Sequence, residues 1–233
     1  VADRYYRERL AAVNLEYCYQ LATPRILRYL RAELGHVLSF VDSGDRVLDL
    51  GCGYGRVIPD LLQKVGKSGL VVGIDSSRPS IEMARSRLAG EWNPIGLAVM
   101  DAGSLGIAAV QFDAVICIQN GISAFHVDQR KLIGDALQVT RPGGTVFFSS
   151  YCEAFWLHRL DWFRRQVAAG LLGIIDEEKT GNGVIVCRDG FRATTVGPER
   201  FRELTAGLPA DVFIEEVDGS SLFCRMEKTG SLA

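Results

Sequence analysis

The chain has 233 residues, with 48% hydrophobic and 23% charged positions, the profile of a globular chain rather than of a disordered or collagen-like one. Its 26 Lys+Arg against 28 Asp+Glu leave a formal net charge of −2, so there is no overall basic surplus for a phosphate backbone and no nucleic-acid partner is expected. Twenty-five glycines against seven prolines point to tight turns and close backbone approaches, provided that the glycines fall at element ends.

In chain order, residues 3–40 read as helical. Leu10, Val13, Asn14, Tyr17 and Leu21 recur at helical spacing, and Thr23-Pro24 restarts a second stretch with Ile26, Leu27, Leu30, Leu34 and Leu38 along one face. The opening Asp3-Arg4-Tyr5-Tyr6-Arg7-Glu8-Arg9 is charged and aromatic where a secretion signal needs an apolar stretch. With no run of about 18 apolar residues, the expectation is a cytoplasmic protein without a membrane partner.

Arg46–Leu50 is a short apolar strand that ends in Gly51-Cys52-Gly53-Tyr54-Gly55, followed by a helix through Val57–Val65. Leu70–Asp75 is the next strand, with Ser76-Ser77 as helix caps and Pro79 near the helix start. Strands at Leu97–Asp101, Phe112–Ile118 and Thr145–Ser150 continue the alternation, with a helix through Arg130–Val139 between the last two. Strands that are apolar along their length and alternate with helices imply a parallel sheet covered on both faces.

After residue 150 the rhythm changes. An aromatic helix carrying Phe155, Trp156, Trp162 and Phe163 leads to two β-like runs, Gly183–Arg188 and Phe191–Val196, around the turn Asp189-Gly190. Pro198–Ala206 reads as helix, and Val212–Val217 with Ser221–Glu227 as a closing pair of strands. The six cysteines (18, 52, 117, 152, 187 and 224) are widely spaced and none forms a C-x-x-C pair. Buried free thiols are expected, with neither a disulfide framework nor a metal site.

The glycine turn carries the chemistry. A dinucleotide turn wants G-x-G-x-x-G, but position 56 is Arg. What stands instead is Asp49-x-Gly51-x-Gly53-x-Gly55, with a carboxylate at the strand end. A second carboxylate, Asp75, ends the next strand, where it can accept both hydrogen bonds of a ribose diol. The run Val47–Arg56 resembles motif I of the class I S-adenosylmethionine-dependent methyltransferases. Asp101-Ala102, Phe112–Ile116 and Arg141-Pro142-Gly143-Gly144-Thr145 resemble the family's later motifs in order.

The resemblance implies an α/β fold, a doubly wound and mostly parallel seven-stranded sheet, with N-terminal helices and an inserted helix and β-hairpin as a cap. It implies one domain over 1–233: a helical lid over 1–41, a cofactor-binding core over 42–150, a cap over 151–197, and a closing helix and strands over 198–233. It further implies S-adenosyl-L-methionine as cofactor, with S-adenosyl-L-homocysteine as product, held by Asp49, Gly51, Cys52, Gly53, Gly55, Asp75, Ser76, Asp101, Ala102 and Gln119. Asp101 and the Ala102 N–H would bind adenine, and Gln119 would lie near the methyl group. Asn120, His126 and Tyr151 are the catalytic-side candidates, with Tyr17 or Tyr19 contributing to an acceptor pocket.

A roof of N-terminal helices and cap favours a small-molecule acceptor, methylated on nitrogen or oxygen. Gln119-Asn120-Gly121-Ile122 is not the Asn/Asp-Pro-Pro-Tyr/Phe of amino-methylating nucleic-acid enzymes. Two other readings stay open: a non-catalytic S-adenosylmethionine-binding regulator, and an NAD(P)-dependent oxidoreductase.

Overall fold

A computed structural model of the chain describes residues 5–90, 94–107 and 112–230. Five strands, β1 (Arg46–Leu50), β2 (Leu70–Asp75), β3 (Ile95–Val99), β4 (Phe112–Cys117) and β5 (Thr140–Tyr151), run parallel. The hairpin β8 (Ala210–Val217) and β9 (Ser221–Lys228) joins through β9, antiparallel to β5. The sheet order is β3-β2-β1-β4-β5-β9-β8. Chain order reverses between β1 and β4, and it is outside the carboxyl ends of strands at such a point that open α/β sheets bind ligands.

Successive strand residues point to opposite faces, and both faces are covered. Val47 packs with Val37 of α2 (Pro24–Leu38), Leu61 of α3 (Ile58–Val65) and Ile81 of α4 (Arg78–Arg87). Leu48 and Leu50 pack with Leu132 and Ala136 of α6 (Gln129–Val139) and Phe201 of α8 (Pro198–Thr205) on the other face. Full burial of each such side chain contributes roughly 1.5–3 kcal/mol. Helix starts follow their caps: Thr23 Oγ1 accepts from Ile26 N, Ser77 Oγ from Ser80 N and Asp128 Oδ1 from Lys131 N.

The first helix is not the continuous one that its spacing predicts. The expected start at Asp3 and Arg4 lies outside the described residues. Tyr5–Arg9 forms a π-turn, and α1 spans Val13–Gln20. Between them Ala12 has φ +48° and donates its N–H to Ser80 Oγ at 2.9 Å; a tertiary hydrogen bond has overridden local periodicity.

The third strand ends at Val99 rather than Asp101, which leaves Met100 and Asp101 beyond the sheet edge. The fifth begins at Thr140, earlier than expected, because its pairing with β4 jumps from Phe112↔Thr140 to Ala114↔Thr145. The jump loops out Arg141–Gly144, and Arg141 pairs with Asp113. A Cβ on Gly144 would meet Asp113 O at 2.8 Å, so this crossing needs glycine. In the cap, α7 spans Trp156–Ala168, while the expected hairpin contracts to β6 (Ile185–Val186) and β7 (Arg192–Ala193).

The N-terminal segment and the cap share one core. Tyr5, Leu10 and Cys18 pack with Phe163, Ile185 and Phe191, and Trp162 Nε1 donates to Cys18 O at 2.9 Å. Tyr29, Tyr151, Phe155 and Trp162 form a neighbouring cluster. Together they roof the carboxyl end of the sheet. All six cysteines are buried thiols. Among the described residues no helix is long and apolar enough to cross a membrane, and no three His, Cys, Asp or Glu side chains form a group that could hold a metal ion.

Candidate functional site

The β1–α3 turn is built from positive-φ glycines, Gly51 at +79°, Gly53 at +55° and Gly55 at +81°, a region that L side chains enter at a cost of roughly 1–2 kcal/mol. The Gly51 and Cys52 N–H groups donate to Ile74 O at 2.8 and 2.9 Å, which ties the turn to β2. A Cβ on Gly51 would meet the Phe125 ring at 2.5 Å, and one on Gly53 would meet Leu15 Cδ2 at 2.9 Å. The third glycine has a different task, since a Cβ on Gly55 would press on Leu88 and Ala84, at the end of α4, at 3.2 and 3.3 Å.

Over this turn lies a cavity of about 140 Å³. Asp49, Gly51, Cys52, Gly53, Asp75, Ser76, Asp101, Ala102 and Gln119, drawn from the ends of four strands, all line it. Gly55 does not.

Three carboxylates define the electrostatics. Asp49 is buried and its Oδ2 has no hydrogen-bond partner; burial, with Asp75 adding repulsion and Arg56 opposing it, raises its pKa from 3.8 to about 7. Asp75 accepts Gly53 N at 3.0 Å and Ser77 N at 2.7 Å. Its pKa is also raised, chiefly by burial, against the pull of those two N–H groups. Asp101 accepts Gly103 N at 2.8 Å and pairs with Arg7 at 2.9 Å.

These groups fit a cofactor carrying both an ammonium and a ribose diol. The unpartnered oxygen of Asp49 suits a cation, Asp75 has lone pairs left for hydroxyl donors, and the glycines admit a close backbone contact.

The catalytic-side candidates lie outside this cavity. Asn120 is buried at φ +63°, where Nδ2 donates to Thr194 O and Oδ1 accepts from Ser150 Oγ, both at 2.8 Å. His126 is exposed at φ +53° on the loop between α5 (Gly121–Ala124) and α6. Tyr151 lines a second cavity of about 700 Å³ under the cap, and burial pushes its hydroxyl up to about 12. Tyr19 does reach the first cavity and hydrogen-bonds Gln119 Oε1, whereas Tyr17 is solvent-exposed.

Sequence reasoning missed Tyr6, Arg7 and Phe125 on the cavity wall and Glu33 behind it. Glu33 is fully buried, accepts Gln119 N at 3.0 Å and Ser221 Oγ at 2.9 Å, and burial raises its pKa from 4.5 to about 7. A carboxylate on the apolar stripe Ile26, Leu30, Glu33, Val37 is the signal that could have found it.

Residues 47–144 match the family described as a methyltransferase domain. The chain is 30% identical over 194 residues to an uncharacterised 37.1 kDa protein in transposon TN4556 of Streptomyces fradiae, covering 79% of this chain and 54% of that one. It is 36% identical over 109 residues to aklanonic acid methyltransferase DauC of Streptomyces sp. strain C5, covering 46% and 49%. The chain thus spans about half the length of these curated relatives. In fold it resembles the [4+2]-cyclase SpnF, with a TM-score of 0.62 and 16% identity over 89% of this chain and 83% of that one.

Proposed function

We propose that the chain is a class I S-adenosylmethionine-dependent methyltransferase, a reading supported by the match of residues 47–144 to a methyltransferase domain, and that it transfers the cofactor's methyl group to a nitrogen or oxygen of a small-molecule acceptor. The observation that carries the reading is the convergence of Asp49, the Gly51–Gly53 turn, Asp75 and Asp101 on one cavity at the point where strand order reverses. Support for a small acceptor comes from the roof of α1, α2 and α7 over the strand ends, and from a relative whose name specifies aklanonic acid. We take 1–233 as one unit, with residues 1–41 as lid, 42–150 as core, 151–197 as cap and 198–233 as the closing helix and strands.

The cofactor supplies a methyl group activated on a sulfonium, so the protein's work is binding and alignment. Asp75 would receive the ribose hydroxyls, Asp101 with the Ala102 N–H would take the adenine edge, and Ser76 would border the ribose. Gly51, Cys52 and Gly53 would bring backbone close to the amino-acid end, Gly55 holds the turn against α4, and Asp49 would face the ammonium. Gln119, fixed by Tyr19 and Glu33, holds the wall where the methyl group would lie. In-line alignment of a displacement is worth up to several kcal/mol without a base.

On the acceptor side, Tyr151 lines the second cavity, Asn120 fixes the turn that leads from Gln119, and His126 is carried as the base that would take the proton of an acceptor hydroxyl, or of an acceptor ammonium to free the amine that attacks.

The test is transfer of labelled methyl from S-adenosylmethionine to a small-metabolite extract, with Asp75→Ala as control. We expect a labelled low-molecular-weight product that Asp75→Ala loses together with cofactor affinity. Tight cofactor binding with no labelled product from any pool would defeat the reading.

A further inference from the structure

Arg159, in the first turn of α7, is fully buried. Its guanidinium lies over the rings of Tyr151, Phe163 and Trp156 at 4.7, 5.4 and 5.9 Å, and it lines the 700 Å³ cavity under the cap. Nη1 donates to Gly183 O at 2.8 Å, but Nε and Nη2 have no partner. Nothing among the described residues balances the charge. Glu153 and Glu216 line the same cavity without an ion pair to Arg159, and the surrounding groups are the hydroxyls of Tyr151, Tyr6 and Tyr29. Burial pushes all three above the usual phenol range, so none supplies a tyrosinate at neutral pH.

The three rings offset part of the cost of burying the cation, but without an anion beside it that cost is still several kcal/mol. The pattern of what is missing identifies the partner. Nε–H and the Nη2–H beside it form one edge of the guanidinium, two parallel donors that match the two oxygens of a single carboxylate. Both nitrogens are buried, so a carboxylate reaches them by displacing the neighbouring side chains. Tyr6, which lines the first cavity, lies near Arg159 and Tyr151.

We propose that Arg159 is the anchor of the acceptor pocket and takes one carboxylate side-on through Nε–H and Nη2–H, so that the acceptor is an aromatic carboxylic acid. This rests on the methyl-transfer reading for the identity of the acceptor, but not for the carboxylate contact itself. An acid held there has its ring against Tyr151 and Trp156 and its far end toward Tyr6 and the first cavity. Glu153 and Glu216 on the same walls disfavour a second negative charge, so a monoacid fits better than a diacid.

The probe is benzoate, with benzamide as its uncharged isostere, titrated by thermal shift and calorimetry with and without S-adenosylhomocysteine. Benzoate is expected to bind the wild type at least tenfold more tightly than benzamide. Arg159→Met should lose that preference while melting close to or above the wild-type temperature, because the buried charge it removes has no anionic partner and only one hydrogen bond, to Gly183 O; a purely structural arginine would lower the melting temperature and leave benzoate unaffected. Arg159→Lys keeps the charge without the fork, and is expected to weaken benzoate several-fold should the Met variant fail to fold. Equal binding of benzoate and benzamide to the wild type, or full benzoate affinity in a folded Arg159 variant, would overturn the proposal. Absence of S-adenosylhomocysteine binding would instead sink the methyl-transfer reading, which the benzoate preference does not touch.

Discussion

Arg7 donates to the Asp101 carboxylate at 2.9 Å, across the mouth of the strand-end cavity and 94 positions along the chain. With Tyr6, Leu10, Leu15 and Tyr19 it closes the cavity from above. The remaining volume of about 140 Å³ is below the roughly 300–1,000 Å³ of ordinary small-molecule sites. Cofactor entry is therefore expected to displace the N-terminal segment, with Arg7 releasing the group proposed to meet adenine. The pair is half exposed, with side-chain accessibilities of 39% and 46%, so it contributes at most about 1 kcal/mol. Arg7→Ala is expected to bind S-adenosylhomocysteine up to about fivefold more tightly by calorimetry. Tenfold weaker binding would instead make Arg7 a cofactor ligand.

Glu33 predicts a pH dependence of stability. Its pKa is raised on folding from 4.5 to about 7, so folding favours the protonated form. The stability that this form carries is complete below about pH 4.5 and is lost as pH rises to about 7. The full span amounts to roughly 3 kcal/mol. Glu33→Gln keeps an acceptor for Gln119 N and removes the titration. Its melting temperature should match the wild type near pH 4.5 and exceed it by several degrees at pH 8. A difference that does not change with pH would refute the assignment.

How far the sequence carried these features depended on the range of the forces that fix them. The β1 strand, its glycine turn and Asp75 were legible because each is set by neighbours within a few residues, and Asp49, Asp75 and Asp101 all line the cavity. The break at Ala12 was not, because its acceptor is Ser80. Neither was the environment of Asn120, whose partners Ser150 and Thr194 lie 30 and 74 positions away. Gly55 shows a finer limit: it belongs to the motif by spacing, yet it packs the turn on α4 and does not reach the cavity.

Asp49 couples the site to pH in another way. Its pKa of about 7 means that near neutrality a cationic ligand must find or create the ionised form. Affinity for S-adenosylhomocysteine, whose ammonium would face the free Oδ2, is expected to fall as pH drops from 8 to 6, by up to about tenfold per unit below the pKa. Asp49→Asn should bind more weakly at pH 8 and show a flat profile across the same range. Calorimetry in two buffers of different ionisation heat measures the linked proton directly: the wild type should release protons on binding at pH 6.5 and the variant none. Equal proton release by both would remove Asp49 from the ammonium site.

Gly53 and Gly55 separate binding from packing. Both need positive φ, so alanine at either position carries a backbone cost of roughly 1–2 kcal/mol. In a chain of this length that lowers the melting temperature by about 2–8 °C. The Gly53 Cβ would enter the cavity wall against Leu15, so Gly53→Ala should also weaken S-adenosylhomocysteine by tenfold or more. The Gly55 Cβ would press on Leu88 and Ala84 outside the cavity, so Gly55→Ala should lose stability to a similar degree while its affinity stays within about threefold of the wild type. Thermal melts and calorimetry on the two variants give the comparison. Equal loss of affinity in both would mean that the turn acts as a single unit, and that the division between its second and third glycines is wrong.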